Sequence, residues 1–202
     1  MIIGLSGKIG SGKSTVSNVF QQNGFILDSF AKSVKDVSHI VFGFDRDKLD
    51  GITQDDRNWR ETPDQKYSDL LGKNFSPRDS LILIGTSFGR DILNNDIWIH
   101  TLFNRYEKYA DRNILITDVR FPNEYKEIKK RGGIVIRINR DNNTYFSTHE
   151  SECSLDDYSF DHVIQNNSTV DELIKKTQEI VNIYIVKPPE NQNEIIRMRS
   201  PE

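Results

Sequence analysis

Gly7-Lys8-Ile9-Gly10-Ser11-Gly12-Lys13-Ser14 reproduces the spacing G-x-x-x-x-G-K-S residue for residue. Gly7, Gly10 and Gly12, with Lys8 and Ser11 between them, form a loop whose backbone N–H groups can converge on phosphate oxygens. A helix beginning near Gly12 adds the positive end of its dipole to that cradle. Lys13 is placed to hold the β- and γ-phosphates of ATP, Ser14 to put its hydroxyl on Mg²⁺, and Thr15 to lie nearer the α-phosphate. The bland alternative is a glycine-rich turn that binds nothing, and it must account for position, spacing and flanks together.

Asp28 and Asp118 each follow a short apolar run, and in open α/β sheets ligands bind beyond the carboxyl ends of the strands. Asp118 is placed to hold Mg²⁺ directly or through water. Asp28 is placed to orient or deprotonate the acceptor, and the two roles are interchangeable at this level. A helix cap is the competing reading for both acids. Arg78, Arg90 and Arg120 are candidates for gripping a second phosphate through their guanidinium forks, against a solvated helix surface as the alternative. Arg137 and Arg140 lead into a polar segment, residues 139–159, that could close over the reacting phosphates as a lid; surface ion pairing is the equal alternative.

These residues need elements to position them. Ile2 to Leu5, Phe25 to Leu27, Ile114 to Thr117, Ile134 to Ile138 and Asp161 to Ile164 are nearly continuous apolar runs that read as strands. Helical spacing over 13–22, 30–41, 96–109 and 122–131 alternates with them. Ser76-Pro77-Arg78-Asp79 starts a helix running to about Leu93, with Ser76 as cap, Pro77 at the first position and Asp79 closing a capping box. A last helix is capped by Ser168 or Thr169. Between Gly43 and Phe75 periodicity fades while charge, Gly and Pro rise, so irregular chain is expected there. Strands alternating with helices imply an α/β fold, a parallel sheet of five strands covered on both faces.

Composition bounds the partners. With 27 basic and 30 acidic side chains the net charge is -3, which offers no basic excess for a nucleic acid. No apolar run of about 18 residues exists, so no membrane span is expected and the protein reads as cytoplasmic. Cys153 is alone, and His39, His100, His149 and His162 lack the spacing of a zinc site. One domain over residues 1–186 with a flexible tail from 187 to 202 is expected, and a homodimer is left open.

The chain resembles the deoxynucleoside monophosphate kinases of large DNA phages and viruses, P-loop kinases related in outline to dephospho-coenzyme A kinase. The resemblance is carried by Gly7 to Ser14, Asp28-Ser29-Phe30-Ala31 with Lys35, Pro77-Arg78 to Gly85-Thr86 with Arg90, and Trp98. Above all it is carried by Thr117-Asp118-Val119-Arg120-Phe121-Pro122-Asn123-Glu124, then His149-Glu150-Ser151-Glu152, Phe160-Asp161 and Asn166. It implies a three-layer P-loop kinase fold with a helical substrate-binding insertion at about 43–110. It also implies transfer of the γ-phosphate of ATP, with Mg²⁺, to a deoxynucleoside 5′-monophosphate. By resemblance Asp28, Phe30, Lys35, Arg78, Arg90, Trp98, Arg120, Glu124 and Glu152 face the acceptor. Arg137 and Asn166 border ATP, and Lys13, Asp28, Asp118, Arg120 and Arg140 serve catalysis. A kinase of another small acceptor such as dephospho-coenzyme A, or a nucleotide-binding switch without an acceptor, are the competing readings.

Overall fold

The computed structural model describes residues 1–107, 112–141 and 153–184. Its centre is a five-stranded parallel sheet of order β2-β3-β1-β4-β5, built from β1 (Ile2–Ser6), β2 (Ile26–Asp28), β3 (Ile114–Ile116), β4 (Ile134–Asn139) and β5 (His162–Gln165). Successive strand residues point to opposite faces, so β1 divides its side chains between two layers. Ile3 and Leu5 pack with Leu115, Ile136 and Ile138 against α1 (Lys13–Gln22) and the last helix (Val170–Tyr184), where Phe20 and Val181 are fully enclosed. Ile2 packs with Ile114, Ile116 and Val135 on the other face. That face is covered by α2 (Ala31–Phe42), α7 (Ile97–Tyr106) and α8 (Pro122–Lys130). Each fully enclosed Leu, Ile or Phe contributes about 1.5–3 kcal/mol through apolar area removed from water.

Three short helices occupy the stretch expected to be irregular: α3 (Arg46–Asp50), α4 (Gln54–Glu61) and α5 (Gln65–Leu71). Their apolar stripes are too short for periodicity to register, and their signals lie at the ends. Asp45, Thr53 and Asp64 each cap a helix, and Thr53 with Asp56 completes a capping box. Phe44, Leu49 and Phe75 form a small core here, packed by Phe42, Trp59, Tyr67 and Leu81.

Ser76 and Asp79 form the expected capping box, which opens α6 (Pro77–Ile82). The helix does not run on as a regular α-helix: from Leu83 to Leu93 it is π-helical. Gly89 explains part of its course, because a Cβ there would lie 2.4 Å from the Trp98 ring. The final helix, α9 (Val170–Tyr184), starts with Thr169 Oγ1 accepting from Glu172 N.

Candidate functional site

β1 ends at Ser6 and α1 begins at Lys13, so the glycine-rich loop fills the gap between the central strand and a helix N-terminus. Gly7 has φ 156° and Gly12 φ 105°, the region glycine favours. A Cβ on Gly7 would sit 2.6 Å from Ser11 Oγ, and one on Gly12 would sit 2.6 Å from Asn166 Nδ2. The Lys13 ammonium donates to the carbonyls of Gly7 and Lys8 and therefore lies across the loop. Ser11 Oγ is buried and, among the described residues, meets no hydrogen-bond partner. A buried hydroxyl in this state costs free energy that an incoming acceptor oxygen would return. Ser14 is exposed and Thr15 half-buried on the first turn of α1.

Asn166 lies behind the loop. It is 9% exposed, and its Nδ2 donates to Ser11 O at 2.8 Å. This makes it a strut that ties the loop to the end of β5, where the resemblance had implied a border for ATP. Arg137 is likewise enclosed: on β4, in register with Ser6, it donates to Ser6 Oγ at 3.0 Å and pairs with Asp156 at 2.5 Å. Asp156 also meets Lys8 at 3.1 Å, so Arg137 is ion-paired, but as an enclosed side chain and not on the surface. Arg140 reaches Gly10 O at 3.4 Å from the exposed end of β4. Lys8, Ser11, Arg137, Arg140, Asp156 and Tyr158 help line a cavity of about 420 Å³ beside the loop.

Both strand-end acids are engaged at the start of α2. Phe30, at the N-cap position, offers no capping side chain. Asp118 supplies the cap from the far side of β3: Oδ1 accepts from Phe30 N at 2.9 Å and Oδ2 from Ala31 N at 3.0 Å. The cap alternative therefore describes Asp118 in this structure. One lone pair on each oxygen remains for a metal-bound water. Asp28 is gripped by Arg105 of α7, with Nε to Oδ2 at 3.1 Å and Nη2 to Oδ1 at 2.8 Å. Arg105 went unnoticed in the sequence; its one signal is that it is the only Asp, Glu, Lys or Arg in α7.

The turn from Asp118 to Glu124 lies beside the loop, because Val119 N donates to Leu5 O at 2.9 Å. Glu124, 2% exposed, points inward. Its Oε2 accepts from Arg120 N at 2.8 Å and Phe121 N at 3.1 Å, and its Oε1 meets Arg90 Nη2 at 2.6 Å. Burial, then the Asp118 carboxylate, push Glu124 up from 4.5 to about 7, against the pull of the two N–H donors and Arg90. Glu124 thus holds the turn and Arg90, and an acceptor contact through its own carboxylate is not what this geometry provides. Arg90 also stacks 3.9 Å from the Phe121 ring centre.

Three further residues expected at the acceptor, Trp98, Phe30 and Lys35, are engaged in packing or ion pairing instead. Trp98 is 6% exposed in the core, its Nε1 donating to Gly85 O at 2.7 Å, and Phe30 is 3% exposed in the same cluster. Large apolar rings are taken into a core whenever the neighbouring backbone leaves room, and Gly89 leaves it. Lys35 pairs with Asp50 at 2.9 Å, which joins α2 to α3. Arg78 is half-buried at the start of α6, beside Arg60, whose guanidinium is lowered by burial and then by Arg78. Arg120 is half-buried. Glu152, most of the segment 139–159 and the tail from 187 lie outside the described residues.

Two family patterns match different parts of the chain. The sequence pattern of dephospho-CoA kinase matches residues 1–44, which hold the phosphate loop and α2. The pattern of deoxynucleotide monophosphate kinase matches residues 55–177. A protein of Acanthamoeba polyphaga mimivirus named as a deoxynucleotide monophosphate kinase is 34% identical over 185 residues, covering 85% of this chain and 91% of that one. This chain belongs to the deoxynucleotide monophosphate kinase family. A second relative, the deoxynucleoside-5′-monophosphate kinase of Escherichia phage T5, is 26% identical over 180 residues, 61% of this chain and 70% of its own.

Within this deoxynucleotide monophosphate kinase family member, the matched stretch contains Arg78, Arg90, Trp98, Arg105, Asp118, Arg120 and Glu124. No helix among the described residues is long and apolar enough to cross a membrane. No group of three or more His, Cys, Asp or Glu converges among them either.

Proposed function

We propose that the protein transfers the γ-phosphate of ATP to a deoxynucleoside 5′-monophosphate, giving the diphosphate for DNA synthesis. The observation that carries this reading is the Val119–Leu5 hydrogen bond, which brings the Arg90–Glu124–Arg120 cluster up to the phosphate loop. One side can take the donor phosphates, the other an acceptor phosphate.

On the donor side, the loop N–H groups, Ser11 and Lys13 bind the triphosphate, and Arg140 is near enough to join them. Ser14 and Asp118 would hold Mg²⁺, Asp118 through water because both its oxygens already cap α2. Bound there, the ion neutralises charge on the phosphates. On the acceptor side Arg120, Arg90 and Arg78 grip the monophosphate, with Glu124 fixing the aim of Arg90 and of the Arg120 backbone. Catalysis then rests on positioning and charge neutralisation. A site in the host cytoplasm, for a virus-encoded enzyme, belongs to the same reading.

The test is an acceptor screen with ATP and Mg²⁺ against the four common deoxynucleoside monophosphates, dUMP, ribonucleotides and dephospho-coenzyme A, following ADP and product. A deoxynucleoside diphosphate is the expected product. Phosphorylation of dephospho-coenzyme A alone would move the assignment to the kinase whose pattern covers residues 1–44.

A further inference from the structure

Arg90 stands near the end of the π-helical segment Leu83–Leu93. Such runs are rare and are found mostly at functional sites, and side chains on them do not follow α-helical spacing, so the aim of Arg90 has to be set from outside its own helix. Glu124 Oε1 holds Nη2 at 2.6 Å from one side. On the other side Nη1 lies 3.5 Å from both Asn95 O and Asn95 Oδ1, in the short loop that follows the segment. That loop, Asn94 to Asp96, leads straight into α7: Asn94 N bonds Gly89 O at 3.0 Å and Ile97 N bonds Asn94 O at 3.0 Å.

The side chain of Asn123 reaches this loop from the first turn of α8. Its Nδ2 donates to Asn95 O at 3.1 Å and to Asp96 Oδ1 at 2.7 Å, which uses both amide hydrogens, and its Oδ1 accepts from Glu124 N at 3.1 Å. Asp96 is the N-cap residue of α7, yet its side chain makes no capping bond. A residue type that ordinarily stabilises the start of its own helix is turned to Asn123 instead.

We propose that Asn123 is a positioning residue for the acceptor phosphate, pinning the Asn94–Asp96 loop so that Arg90 is held between that loop and Glu124. This rests on the kinase reading above and adds to it the residue that sets the aim of the acceptor grip. Asn123 and Glu124 are neighbours in sequence, so one short stretch fixes both sides of the Arg90 guanidinium. The same stretch follows directly on Asp118 and Arg120. The donor-side carboxylate and the acceptor-side guanidinium are thereby set from one turn. A shift of the Asn94–Asp96 loop redirects Arg90 and leaves the phosphate loop, tied by Asn166 to the end of β5, in place. Position 123 needs an amide. A carboxylate there would set oxygen against Asn95 O and Asp96 Oδ1, and a methyl group would deprive both of this donor.

The experiment measures steady-state constants with ATP and the best deoxynucleoside monophosphate varied in turn. Asn123→Ala should raise acceptor KM about fivefold or more, with ATP KM within about twofold. Because the effect runs through Arg90, the same substitution made in Arg90→Gln, which keeps an N–H for Glu124, should change acceptor kcat/KM by less than about twofold. Asn123→Asp/Asp96→Asn, which exchanges donor and acceptor, should recover part of what Asn123→Asp alone loses. A smaller rise in acceptor KM, equal rises in both KM values, or a further loss of about twofold or more in the Arg90→Gln background overturns the proposal. Should Asn123→Ala not fold, the exchange carries the test, and absence of any recovery overturns the proposal. The two readings fail separately. If the wild type phosphorylates no nucleoside monophosphate, the kinase reading falls and the proposal with it; if it does so and Asn123→Ala leaves acceptor KM unchanged, the proposal falls alone.

Discussion

Arg90 Nη2 and Glu124 Oε1 are 2.6 Å apart, joining the π-helical segment to the first turn of α8 across 34 residues of sequence. The pair is enclosed, at 12% and 2% side-chain exposure, and its remaining polar atoms are partly bonded to the backbone of the Asp118 turn. Breaking such a pair by removing one partner commonly costs about 3–5 kcal/mol, because the other charge stays buried.

Glu124 is pushed up from 4.5 to about 7, so the folded protein takes up its proton more readily than the unfolded chain. Its contribution to stability is therefore fully present below about 4.5 and is lost as pH rises through about 7. Activity should run the other way, since protonation removes the charge that aims Arg90. The expected profile of kcat/KM for the acceptor has an acid limb with a midpoint near 7, and Glu124→Gln should be low and flat across it. An unchanged limb in the Gln variant would assign it to another group.

Lys13→Ala should leave the fold in place and reduce turnover by about 10³-fold or more, the scale of losing a preorganised charge at the transferring phosphoryl. Its ammonium donates to the loop carbonyls Gly7 O and Lys8 O, away from the packed core. Circular dichroism together with product formation checks both halves of the expectation.

Arg120→Ala should depress acceptor phosphorylation at least tenfold more than it depresses slow ATP hydrolysis in the absence of acceptor. The two rates are measured on one preparation. Equal losses would place Arg120 on the donor side.

Gly12→Ala combines a backbone at φ 105° with a Cβ 2.6 Å from Asn166 Nδ2 and 2.9 Å from Leu173 Cδ2. We expect a loss of about 1–3 kcal/mol in urea unfolding, together with a raised ATP KM as Asn166 loses its bond to Ser11 O. Asn166→Ala should raise ATP KM with a smaller loss of stability.

The sheet was legible in the sequence because β1, β3 and most of β4 are compact apolar runs alternating with helical spacing, and the phosphate loop because its spacing is dictated by the backbone it must form. The three helices between Arg46 and Leu71 were not legible as such, since each has under three turns and its marks are caps at the ends. Trp98 and Phe30 illustrate a different limit. A large aromatic in a family motif is equally suited to a substrate or a core, and the choice turned on Gly89, nine positions before Trp98, leaving room for its ring. Arg105 escaped notice because its partner, Asp28, is 77 residues away and nothing local marks the pair. Glu124 stands out by its motif, but its side chain turns inward to Arg90 and the Arg120 and Phe121 N–H groups, an orientation that spacing does not show.

Among the described residues, two side chains, Phe42 and Leu81, pack both into the small aromatic core around Phe44, Leu49 and Phe75 and into the main core beside the sheet. The capped helices from Arg46 to Leu71 therefore form a lobe joined to α2 and α6 through these two side chains and the Lys35–Asp50 and Arg46–Asp36 ion pairs, so a change inside the lobe reaches the sheet through that narrow joint.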